Sequence, residues 1–268
     1  MNRNTDMEAW SDMKTMYICH DTITGLYSAL YDAWKESRDG DAGIELRGKT
    51  QQQMFCEYRV VDENGKKAAS IERMIKHNLG YNAYWDFYHA LLSDDAGKGE
   101  AVFKAMQEAR RIPDSTKIME HLSDCNVAKV FELSRRVSNE AHMYKEFIRF
   151  RELANGVLFS EISPRSRLLT CIGEHFSDRF PLENWMIYDK THGEFLVHRA
   201  KQRWVIVTGA DLDQEAAADV SQAEVEYEKL WKGFFEAVSI KERENPKCQR
   251  TNLPLRYRRE MVTIQPSG

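Results

Sequence analysis

The sequence has no closely spaced cysteines, no long apolar run and no surplus of basic charge. Its five cysteines, Cys19, Cys56, Cys125, Cys171 and Cys248, never lie nearer than 37 residues to one another. That spacing excludes CxxC zinc motifs and the clustered thiols of an iron–sulfur loop. An odd, scattered set reads instead as reduced thiols in a cytoplasmic protein. No apolar stretch approaches the roughly 18 residues that span a bilayer, and the opening MNRNTDMEAW lacks the apolar centre of a signal peptide, so no membrane role is expected. The glycine-rich phosphate loop, GxGxxG and GxSxG are missing as well. With a formal net charge of −4, any contact with nucleic acid must come from a local patch.

What is present is an ordinary globular composition. At 268 residues with 42% hydrophobic side chains, the chain suffices for one large core or two small ones. MYIC at 16–19 reads as a short strand. The following HDTITGLYSALYDAWKES reads as a helix, with Ile23, Leu26, Leu30, Ala33 and Trp34 at helical spacing and Asp21 or Thr22 as its cap. His20 and Asp21 at this junction are a site or, more simply, a cap. Residues 37–49 read as a loop, and QMFCEYRVV followed by DENG as a strand leaving into a turn. Helical periodicity then runs over 67–79, 81–92, 98–109 and 126–149, which makes the first half helix-rich.

The period changes after residue 150. FRELANGVLFSEI places ANG between two alternating runs, a hairpin signal, and PRSRLLTCIGEHF reads as a helix. NWMIYD, GEFLVHR and RWVIVT are three more strands separated by short polar turns. The second half therefore predicts an antiparallel sheet of about five strands with one crossing helix, and the whole chain an α+β fold. Two regions are expected, 1–125 and 126–268, or one continuous domain. Residues 211–228 hold seven acids and neither lysine nor arginine. They read as a linker followed by the acidic start of a C-terminal helix, where negative charge suits the dipole.

The helix at 126–149 carries the most chemistry. At 100° per residue, Val130, Val137, Ala141, Tyr144 and Ile148 make its buried stripe. Arg135, Ser138, His142, Lys145 and Arg149 make a second row roughly 100° away. Three permanent cations, an imidazole and a hydroxyl suit a run of phosphates, because each can donate to an anionic oxygen without first losing a proton. The same row is also what a solvated face looks like, with Glu140 pairing to Arg136 across a turn. Glu140 and His142, the tempting catalytic pair, point about 160° apart. They form no metal site, and catalysis by either needs a partner from elsewhere in the fold.

A second basic patch, residues 241–260, has seven lysines and arginines against three glutamates. It reads as an extended segment in which Lys247, Arg250, Arg256, Arg258 and Arg259 meet a phosphate backbone while Tyr257 offers a base-stacking surface. The alternative is a tail that pairs with the acids of 211–228.

VSNEAHMYKEFIRFRELANGVLFSEISP, HFSDRFPLENWMIYD and LWKGFFEAVSIKERENPKCQRTNLPLRYR together resemble a bacterial family of probable DNA metabolism proteins. The N-terminal YICHDTITGLYSALYDAW resembles that family's opening strand and helix, although His20 and Asp21 stand where a YDGT-like sequence is more usual. The resemblance implies DNA repair or modification. Its members are encoded beside a radical S-adenosylmethionine protein of DNA repair or modification, and similar domains occur fused to uracil-DNA-glycosylase-like modules. It thus implies a DNA-binding accessory protein with no cofactor of its own, whose radical partner carries the 4Fe–4S cluster and S-adenosylmethionine. An enzyme acting directly on a base or phosphodiester, and a structural partner protein without DNA affinity, are the competing expectations.

Overall fold

A computed structural model of the protein describes residues 14–37, 41–49, 55–238, 251 and 253–258. The chain divides into two compact units, Met1–Ser138 and Asn139–Gly268. The boundary expected at 125 falls instead within the long helix. That helix is continuous because its buried stripe persists from Val127 to Tyr144, supplying one core with its first half and the other with its second.

In the first unit, strand β1 (Lys14–Cys19) lies between β2 (Ala42–Leu46) and β3 (Cys56–Val60), parallel to both. The expected loop at 37–49 thus contains a strand. AGIEL is short and holds a glycine and an acid, yet it pairs along its whole length with Thr15–Cys19 of β1. Helix α1 (Ile23–Ser37) buries Leu26, Tyr27, Ala29, Leu30 and Ala33. Its cap is Thr22, whose Oγ1 accepts from Gly25 N at 2.9 Å, which leaves Asp21 for other partners. Helix α2 (Gly65–Asn78) starts at Asn64, whose side chain accepts from Lys66 N and Lys67 N. Helices α3 (Gly80–Leu92), α4 (Lys98–Ala109) and α5 (Cys125–Phe147) follow, close to the ranges their periodicity predicts.

The second unit is a five-stranded sheet of order β4-β5-β6-β7-β8, comprising Arg151–Glu152, Leu158–Ile162, Trp185–Asp189, Glu194–His198 and Val205–Thr208. The ANG turn closes the β4–β5 hairpin, with Gly156 at φ +77° and Val157 N donating to Asn155 Oδ1. The sheet is mixed rather than antiparallel throughout. Helix α6 (Leu169–Arg179) carries the chain from the end of β5 back to the start of β6, so those two strands run parallel. The remaining pairs are antiparallel.

One face of this sheet presents Trp185, Ile187 and Leu196 to a core shared with Tyr144 of α5, Ile148 just past its end, and Ile172 and Phe176 of α6. The other face packs Phe159 with Leu153 and Ala217. Ala217 belongs to α7 (Gln214–Ala218), a short helix inside the acidic segment, capped by Asp213. Helix α8 (Gln222–Val238) follows, and its Glu224 accepts from Glu152 N at 3.1 Å. Asp213 and Glu224 thus satisfy backbone amides rather than forming an acidic surface for a partner. Finally, Leu255–Arg258 forms one helical turn, α9, where an extended segment is expected. Pro254 explains the difference: it cannot donate inside a helix but is well suited to starting one, and its carbonyl accepts from Tyr257 N.

Candidate functional site

The site is built on the second half of α5. Glu140, Tyr144 and Phe147 occupy successive turns of one side of that helix. Glu140 is 6% exposed, and burial of a carboxylate is costly unless its oxygens find donors. They do: Oε1 accepts from Arg165 N at 3.0 Å and Oε2 from Ser166 N at 3.1 Å. This pins the bend between β5 and α6 against α5 and leaves the Arg165 side chain exposed.

Tyr257 supplies the second anchor. Expected as a surface for base stacking, it is only 3% exposed and packs edge-on against Tyr144, ring centroids 5.0 Å apart, with Phe147 at 5.9 Å. An aromatic ring between arginines gains more from a core than from solvent once one is within reach. Burial pushes its hydroxyl above the ordinary value, against the pull of Arg256. Docking Tyr257 brings its neighbours along. Arg256 lies with its guanidinium 4.6 Å from the Tyr257 ring centroid, bonded to that hydroxyl, and with Nη1 4.0 Å from Glu140 Oε1. Arg149, just past the end of α5, shares a small cleft with Tyr144, Phe147, Ser160, Glu161 and Tyr257. Four arginines from three distant stretches, 149, 165, 256 and 258, thereby gather round one buried carboxylate and one buried ring.

Their bonding decides the electrostatics. Arg149 donates to the carbonyls of Glu146 and Ile148, both at 2.9 Å, and Arg258 Nε donates to Leu253 O at 3.0 Å. A guanidinium held by a carbonyl is oriented without being neutralised, whereas one held by a carboxylate is paired off. Among the described residues, Glu140 is the carboxylate within ion-pair distance of this group, and it reaches only Arg256. The patch keeps most of its positive charge.

Residues 96–263 match the family model of DUF4130, a domain of unknown function. The chain belongs to the DUF4130 family. No curated protein matches it. Glu140, Tyr257 and the four arginines all lie within the matched DUF4130 region, whereas His20 and Asp21 lie outside it.

The predicted row of α5 is not one surface. Arg135 and Ser138 belong to the first unit, where Arg135 is exposed and Ser138 Oγ lies 3.3 Å from His89 Nδ1. His142 is exposed and pairs with Glu146 one turn on, Nε2 to Oε1 3.1 Å. Lys145 turns towards α6, where burial, then Lys145 and Arg179, hold the His175 ring below its ordinary value. Burial also pushes the Cys171 thiol up to about 11. Glu140 and His142 do not meet, and the expected pairing of Glu140 with Arg136 gives way to Arg136 with Asp94 at 2.5 Å. Lys247, Arg250 and Arg259 lie outside the described residues.

Arg165 was not singled out by the sequence, although SPRSR between a strand and a helix is the polar bend from which an exposed arginine is offered. Among the described residues there is no group of three or more acids, histidines or cysteines placed to hold a metal ion, and no helix long and apolar enough to cross a membrane.

Proposed function

We propose that this DUF4130 protein contacts DNA as an accessory subunit in repair or modification, in the cytoplasm, beside a radical S-adenosylmethionine partner. The nucleic-acid surface is the patch of Arg149, Arg165, Arg256 and Arg258. What carries the reading is the convergence of these arginines with their charge left free, since a phosphate chain rewards fixed, uncompensated guanidinium groups. Lys145 extends from the same helix and adds charge to the flank, with His142 beside it. The partner, its 4Fe–4S cluster and its S-adenosylmethionine rest on the resemblance described above.

Replacing Arg149 and Arg256 together by alanine tests the surface. Both side chains are exposed, so the variant should still fold, with the loss of the Arg256 contacts to Tyr257 and Glu140 read as a modest shift of its unfolding curve. Its DNA affinity should fall, and the slope of log affinity against log salt should become shallower by about 2, one for each lost phosphate contact. An unchanged salt slope would remove the patch from the interface. Copurification with the radical partner, with DNA binding measured in its presence and absence, tests the accessory role.

A further inference from the structure

The parallel sheet of the first unit has strand order β2-β1-β3. From β1 the chain runs through α1 to β2 on one side, and β3 then pairs on the other side of β1. The loops leaving β1 and β3 meet beyond the carboxyl ends of these strands, Asn64 N donating to Ser28 Oγ of α1 at 2.9 Å. Ligands of open α/β sheets bind outside the carboxyl ends of the strands, and the chemistry there has to come from side chains.

At this edge the three strands end level with one another: Arg47 N donates to Cys19 O, and Val61 N to Ile18 O, both at 2.8 Å. His20, the first residue past β1, is exposed, with Nε2 3.2 Å from Arg47 Nη1. Gly25 allows the close fold behind it, since a Cβ there would sit 2.7 Å from the His20 carbonyl oxygen. Asp21, released from capping by Thr22, faces Lys98 Nζ at 2.6 Å and Lys49 Nζ at 3.9 Å. Thr22 Oγ1 donates to Glu63 Oε1 at 2.6 Å. Three cations, two carboxylates and an imidazole from four segments therefore meet at the carboxyl ends of the strands.

Two features of this cluster are costly as pure scaffolding. Lys98 is 1% exposed and is the first residue of α4, so its ammonium is both desolvated and set against the helix dipole. Its Nζ also donates to Ser93 O at 2.6 Å. Asp21 Oδ1 is buried and, although close to that ammonium, completes no directed hydrogen bond. Both make sense if Lys98 holds Asp21 ready to accept from a ligand. Arg47 meanwhile lies against a ring nitrogen and not an anionic oxygen, and Lys49 is loosely paired and half exposed.

We propose that this edge binds a phosphate monoester, with Arg47, Lys49 and His20 on the phosphate and Asp21, fixed by Lys98, accepting from a hydroxyl or amino group on the rest of the molecule. The site shares none of the arginines of the DNA surface and does not rest on that reading.

Calorimetric titration of the full chain with adenosine monophosphate, inorganic phosphate and adenosine tests it. The monophosphate should bind most tightly, and removing its phosphate should weaken binding roughly tenfold or more. Arg47→Ala with Lys49→Ala should lower monophosphate affinity by a similar factor. Asp21→Asn should weaken the monophosphate while leaving inorganic phosphate unchanged. Arg149→Ala with Arg256→Ala should change none of these values, which separates failure here from failure of the DNA surface. A 5′-phosphorylated oligonucleotide that outbinds its unphosphorylated form, by a margin lost in the Arg47/Lys49 variant, would identify a nucleic-acid end as the source of the phosphate. The proposal is overturned if neither monophosphate nor phosphate binds at millimolar concentration, or if the Arg47/Lys49 variant binds like the wild type.

Discussion

Two groups of cations, one in each unit, are held in opposite ways. In the first, cations are matched to carboxylates: Lys14 to Glu100, Lys67 to Asp32, Lys76 to Glu72, Lys104 to Asp41, Lys129 to Asp95 and Arg136 to Asp94. In the second, Arg149, Arg151 and Arg258 give their donors to backbone carbonyls, and Arg256 to a tyrosine hydroxyl. Surface ion pairs contribute little to stability, but they cancel the field a phosphate would feel. The contrast lies between these two groups of cations and not between whole units, since Arg167 of the second unit pairs with Glu194 and Arg73 of the first donates to Ala69 O. The carboxylates decide, not the arginines.

That contrast can be broken from the anchor outward. Tyr257→Ala empties a fully packed position and should cost about 3 kcal/mol in urea unfolding, with loss of DNA affinity because Arg256 and Arg258 lose their footing. Phenylalanine at the same position should keep the affinity, so a Tyr257→Phe variant that also loses it would show the ring is not the anchor. Glu140→Ala leaves the amides of Arg165 and Ser166 without their acceptor and should cost about 2 kcal/mol. At the small end, Arg136→Ala breaks an exposed pair in the first unit. It should shift stability by less than about 1 kcal/mol and leave DNA binding unmoved.

Proton linkage sharpens the flank of the patch. The His175 ring is held below its ordinary value, first by burial and then by Lys145 and Arg179, so the unfolded chain takes up its proton more readily than the folded one. Stability should therefore fall as pH drops through about 6.5 and level off below the folded value. Lys145→Met removes one cause and should flatten that part of the urea-midpoint profile. A profile identical to wild type would place Lys145 away from the ring. Thiol labelling offers a milder check: Cys125 is exposed and should react first, with Cys19, pushed up to about 12 by burial and Asp21, the slowest of the described cysteines.

The helices and the hairpin were legible because their signals are local: helical spacing for α2 to α5, and Asn-Gly between alternating runs for β4 and β5. The parallel pairing of β5 with β6 was not, because strand direction depends on what a crossing helix does in three dimensions and leaves no mark on the strands. AGIEL hid because five residues holding a glycine and an acid carry little strand signal of their own, and its pairing partner β1 lies on the far side of α1 in the chain. In the site, Arg149 and Arg256 were visible as cations, but not as neighbours. Tyr257 shows the limit most plainly, since the same aromatic among arginines serves equally as a stacking surface or as a peg, and only the presence of Tyr144 chooses between them.

The contact between Tyr144 and Tyr257 also has a consequence in time. A pairing so distant in the chain closes late, since the entropy of a long loop must be overcome first. During synthesis the sheet and both long helices of the second unit are complete before Tyr257 leaves the ribosome. Until that ring seats, Arg256 and Arg258 trail on an unanchored segment. The proposed DNA surface should be the last part of the molecule to mature, and ribosome-bound chains ending at α8 should already be folded but lack whatever DNA affinity the full chain has.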